Sequence, residues 1–158
     1  MVRTGKRMAV CLTLLILNLI FIWGNSCLPG EVSGNISAWV KDLIARLFGG
    51  ELAEDDPSGH GLLRKLAHMT EFCCLGIWFA WLMHMLRQKK WQAAVLALGG
   101  GLLAACIDEC IQIFVPGRGP GIKDVAIDML GVTVGVALLT LVLIIRHGKR
   151  NTLEEIKQ

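Results

Sequence analysis

The chain has 158 residues, 54% of them hydrophobic, with a formal net charge of +3 and a mean hydropathy of +0.56. That is too apolar for an ordinary soluble domain and fits a polytopic membrane protein forming one domain over residues 1–158. The bases sit in short clusters at the ends of apolar runs and not along one face, which excludes a nucleic-acid module.

Arg3, Lys6 and Arg7 precede an apolar run from Met8 to Trp23, broken only by Thr13 and Asn18. A basic flank before an apolar core is also how a signal peptide begins. This run is longer than a usual signal core, and no small-x-small cleavage site follows it. The reading is therefore an uncleaved first span, about 8–24. The connection from Asn25 to Lys65 is the only long polar one. Within it Ile36, Trp39, Val40, Leu43, Ile44, Leu47 and Phe48 recur at three- and four-residue steps, which predicts an amphipathic helix over 35–48. It is too short and too charged to span, so it lies in the membrane interface or packs on the bundle. Gly49-Gly50 should end it, and Glu51 to Gly61 should be a loop.

Further spans are expected over 65–86, 92–115 and 122–145. Gly99-Gly100-Gly101 and the Gly131-x-x-x-Gly135 step allow neighbouring helices to come close. Pro116 to Gly121 reads as a tight turn. The expected architecture is thus an all-α bundle of four transmembrane helices with one extracytoplasmic amphipathic helix. The N-terminus, the Arg87–Lys90 loop and the Arg146–Gln158 tail are basic. Four spans put all three on one side, which the positive-inside rule makes cytoplasmic. The six cysteines lie mostly in apolar runs, form no CxxC pair and read as small buried hydrophobes.

Charge collects where it is expensive, at the expected outer ends of the last three spans. Lys65, His68 and Glu71 open the second span at i, i+3 and i+6. Asp108, Glu109 and Gln112 close the third, and Asp124 and Asp128 open the fourth. At 1.5 Å per residue, Glu71, Glu109 and Asp128 each lie roughly 9 Å inside their helix ends. Inter-helix salt bridges that merely pin the bundle are one explanation. A functional pocket is favoured, because so many ionisable groups at one depth exceed what pinning needs. The catalytic candidates are His68, Glu71, Asp108 and Glu109, with Glu109 and His68 as the acid–base pair. Substrate-binding candidates are Lys65, Gln112, Lys123, Asp124 and Asp128, with Arg118 as an anion clamp or a headgroup anchor. His68 with Glu71 and a third-span acid could hold a divalent cation, but HxxE spacing is weak evidence and no metal ligand is assigned. The serines, Ser26, Ser33, Ser37 and Ser58, fall outside the expected spans, and neither HExxH nor a P-loop is present.

At these residues the sequence resembles the VanZ-like family of bacterial membrane proteins. The likeness is carried by Asn25-Ser26; by Lys65-x-x-His68-x-x-Glu71-Phe72-x-x-x-Gly76; by Asp108-Glu109-x-x-Gln112-x-x-x-Pro116-Gly117-Arg118; and by Asp124-Val-x-x-Asp128-x-x-Gly131-x-x-x-Gly135. This chain has Asp128 where many members carry Asn. The resemblance implies a multi-pass protein of the cell envelope associated with resistance to the lipoglycopeptide teicoplanin. Its expected partners are membrane lipids and a lipid-linked envelope precursor or lipoglycopeptide, with no nucleic acid. The functional alternatives are an enzyme acting on a lipid-linked or wall-linked group, a non-enzymatic binder of lipid, antibiotic or partner, and a proton-coupled transporter. The last is weakest, because Ala93 to Ala105 and Gly131 to Ile145 hold no ionisable residue.

Overall fold

The computed structural model describes residues 2–48, 62–86, 88–119 and 121–155. Among them the chain is entirely helical: α1 Val2–Ser26, α2 Gly30–Phe48, α3 Leu62–Met85, α4 Lys90–Gln112 and α5 Ile122–Glu155. Four stretches, Gly5–Ser26, Leu63–Met85, Trp91–Gln112 and Ile122–Lys149, are long and apolar enough to cross a membrane. The Gly49-Gly50 stop, the Glu51–Gly61 loop, and Arg87 and Pro120 of the expected turns lie outside the described residues.

Beyond the starts of α1, α3 and α4, which precede the expected span starts at 8, 65 and 92, the helix ends differ from expectation in three further places. First, α2 begins at Gly30 and not at 35, directly after Pro29, whose carbonyl accepts from Ser33 N–H. Second, α4 stops at Gln112 and not at 115, because Phe114 and Val115 bond back to Ile111 and Gln112 in tight i−3 turns ahead of Pro116. Third, α5 runs ten residues past 145, to Glu155. Polarity marked the end of the apolar run there, but a segment rich in Arg, Lys, Leu and Glu continues a helix readily.

The bundle is centred on α3, whose most extensive partner is α5. In lipid the tails are as apolar as the helix surface, so close van der Waals packing and polar contacts must hold the helices together. Small residues permit that approach. A Cβ at Gly131 would meet the Met69 carbonyl, one at Gly135 the Cys73 carbonyl, and one at Gly76 the Val132 carbonyl. Of the 99–101 triplet, Gly100 lies against Phe79 and Gly101 against Val132, while Gly99 meets nothing. The core between the helices is Ile22, Phe72, Leu75, Ala97, Ala104, Ala105, Val132 and Val136. Large apolar side chains such as Ile20, Leu103 and Leu141 face outward.

On α2, Ile36, Trp39, Leu43 and Leu47 are exposed, whereas Val40 is half-buried. Trp39, Leu43 and Leu47 of its apolar stripe are therefore left uncovered by the bundle, whereas Ile36 and Val40 border α1 and α3; the side chains of Ile44 and Phe48 lie outside the described residues. The helix is moored at its start. Gly30 N–H donates to the Pro116 carbonyl, and Gly30 lies against the backbone of Gly117, whose φ of 73° suits glycine.

Candidate functional site

Three helices bring polar groups together at the end of the bundle formed by the α1–α2 and α4–α5 turns. His68 lies six residues into α3, Asp128 six into α5, and Asp108 four before the end of α4, so all are roughly 6–9 Å from their helix ends. His68 Nδ1 stands 4.0 Å from Asp108 Oδ2 and 3.8 Å from Asp128 Oδ1. The three residues are 8%, 0% and 2% exposed. Gln112, one turn beyond Asp108, donates from Nε2 to Asp108 Oδ2 at 2.8 Å and to Ser26 Oγ at 3.4 Å. The end of α1 is thereby tied to the cluster through a fully buried serine.

Glu109 lies one residue and about 100° around the helix from Asp108, and it does different work. Its Oε2 accepts from Gly121 N–H at 2.7 Å, at the entrance to α5, and it is beyond ion-pair distance of His68. The expected Glu109–His68 pair is therefore replaced by Asp108 and Asp128 facing His68. Glu71 is also separated. Steps of three residues drift by about 60° per step, so Lys65, His68 and Glu71 do not share one face. Glu71 turns to α1, where Asn25 Nδ2 donates to its Oε1 at 3.2 Å. Lys65 and Asp124 are half-buried at the mouth of the cluster, and Lys123 is exposed.

Arg118 is spent largely on the scaffold. Nε donates to the Leu28 carbonyl at 2.9 Å and Nη2 to the Asn25 carbonyl at 3.0 Å, the latter also accepting from Leu28 N–H, so the guanidinium braces the end of α1 and the turn after it. Burial, reinforced by Arg64, pulls its pKa below the usual arginine value, and it still carries its charge at neutral pH. Only Nη1, buried and without a hydrogen-bond partner, remains for an anion. Glu71 Oε2, Asp108 Oδ1, Glu109 Oε1 and Asp128 Oδ2 are likewise buried and unpartnered. So many orphaned oxygens in one region require an explanation.

Two spaces adjoin the cluster. A cavity of about 20 Å³ is lined by Arg64, Lys65, His68, Glu109, Gln112 and Asp128, among others. A groove of about 410 Å³ runs between α1, α2 and α3, with Phe21, Ile36, Val40 and Leu66 as apolar walls and Asn25, Arg64 and Glu71 at its polar end. Arg64 borders both. Sequence reasoning missed it, although it lies a full i−4 turn before His68. Ser26, set aside there as outside the spans, closes the first of them.

Comparison with known proteins gives one match. The model of the family described as VanZ/LLP1 covers residues 8–144. No curated protein and no solved structure matches.

Proposed function

Because the chain belongs to the VanZ/LLP1 family, we propose that it is a bacterial plasma-membrane protein that acts at the extracytoplasmic face on a lipid-linked or wall-linked envelope component. In this reading both termini are cytoplasmic and the activity contributes to teicoplanin resistance. The observation that carries it is the shared Arg64. The groove suits an amphiphile's chain, and a headgroup held at Arg64 borders the cavity that His68 and Asp128 line. A cation at that point favours an anionic headgroup such as a phosphate. His68 is then the proton-transfer group. Asp108, held by Gln112, fixes its ring, and Asp128 supports it from α5.

The test is resistance conferred by His68→Ala and Asp108→Asn at matched membrane levels. Each variant should lower the tolerated teicoplanin concentration to that of cells lacking the protein. Full resistance in both would exclude acid–base chemistry here.

A second reading, a non-enzymatic lipid binder, draws on Arg118 and Glu109, whose hydrogen bonds serve the scaffold. It expects resistance to survive His68→Ala but to be lost when Ala67→Trp blocks the groove that Ala67 lines. A transporter is disfavoured, because the core beyond the cluster is apolar among the described residues and offers no relay.

A further inference from the structure

We propose that His68, Asp108 and Asp128 form a binding site for a divalent transition-metal cation. One nitrogen or oxygen from each residue lies within 4.8 Å of the others. Two ligand atoms held about 2.1 Å from one ion in a tetrahedron are about 3.4 Å apart. The observed separations from His68 Nδ1, 4.0 and 3.8 Å, therefore need to close by about half an ångström, and the two carboxylates, within 4.8 Å of each other, by no more than about 1.4 Å. The freedom available for that closure is side-chain torsion of three residues on three separate helices.

Four further observations point to a ligand here. Asp108 Oδ1 and Asp128 Oδ2 are buried and have no hydrogen-bond partner, on residues 0% and 2% exposed. Two carboxylates at membrane depth need a counter-charge. Among the described residues the imidazole alone stands within ion-pair distance of them, and Arg118 donates to backbone carbonyls. The adjoining cavity of about 20 Å³, lined by His68 and Asp128, has room for one water, which takes about 10–15 Å³. That water would complete the coordination and open to Arg64 and the groove. Gln112, bonded to Asp108 at 2.8 Å, is the kind of outer partner that orients a ligating carboxylate.

One imidazole and two carboxylates suit Zn²⁺ or Mn²⁺ better than Ca²⁺ or Cu⁺. This assignment keeps acid–base chemistry at the cluster but changes the role of His68, which becomes a ligand and leaves proton transfer to a polarised water. It rests on the cluster alone, and the groove could fail as a binding site without affecting it.

The experiment uses full-length protein in nanodiscs, stripped with chelator and re-equilibrated with Zn²⁺ or Mn²⁺, with bound metal counted by mass spectrometry. Wild type should retain one ion per chain. Asp108→Asn and Asp128→Asn should each weaken binding at least ~10-fold, while Glu31→Gln, an exposed residue of α2, should leave it unchanged. Absence of bound ion in wild type, or undiminished binding in both variants, overturns the proposal. Should the variants fail to fold, Mn²⁺ electron-spin resonance of wild type labelled with ¹⁵N-histidine decides. A coupling that changes with the isotope supports direct ligation, and its absence refutes it. Resistance assays do not enter this test, so its failure would leave the resistance reading standing.

Discussion

At the scale of single residues, neighbours in sequence have separate tasks. Asp108 and Glu109 are adjacent, yet one faces His68 and the other bonds to Gly121 at the start of α5. The sequence showed that acids from three spans reach one depth. Which of two adjacent acids faces which partner depends on helix rotation, and only packing sets that. Arg118 makes the same point more sharply. Its place on a Gly/Pro turn suggested an anion clamp, but two of its nitrogens hold the carbonyls of Asn25 and Leu28. A lysine has one charged nitrogen and no planar fork, so it cannot reproduce the Nε and Nη2 positions from which Arg118 holds the two carbonyls. Arg118→Lys is therefore expected to destabilise the protein by about 1.5–3 kcal/mol, the range for a hydrogen bond to a charged group. The check is its thermal melt in detergent, and an unchanged midpoint would refute the bracing role.

At the scale of the elements, the glycine step on α5 does more than join two helices. Gly131 lies against the carbonyl of Met69, and each of these residues is close to a site group, Asp128 on α5 and His68 on α3. The contact that brings the helices together therefore also sets the distance between imidazole and carboxylate. The Gly-x-x-x-Gly spacing announced this packing face, because small residues every fourth position leave a continuous groove. It did not announce the partner helix. Gly131→Val should overpack the contact at a cost of about 1–3 kcal/mol and widen the His68–Asp128 gap. Its resistance phenotype should accordingly resemble that of His68→Ala even where the folded protein accumulates normally. Wild-type resistance in that variant would separate packing from function. For α2, the three- and four-residue periodicity revealed the helix and its stripe, but whether the bundle covers that stripe was not readable. Trp39, Leu43 and Leu47 are exposed, while Ile36 and Val40 wall the groove against α1 and α3.

At the scale of the whole molecule, the count of four spans was legible because hydropathy over 20 residues is a strong signal. The early stop of α4 was not, since apolar residues 113–115 continue the pattern while Pro116 and Gly117 end the helix. The basic residues Lys6, Arg7, Lys89, Arg146 and Lys149 all fall at the end away from the cluster, as helix order requires. The proposed orientation predicts that a fluorescent-protein fusion at the C-terminus is active in the cytoplasm. A periplasm-dependent phosphatase inserted at the exposed Gly119 should be active as well. The reverse pattern would place the cluster at the opposite face.

The dependence of the cluster on α5 bears on how the protein is made. His68 and Asp108 leave the ribosome before Asp128, so the second and third spans enter the bilayer while their acidic and imidazole groups still lack the last contributor. The helix synthesised last is also the one packed most extensively on α3. Its arrival supplies the third contributor to the cluster, at a depth where an uncompensated charge is costly.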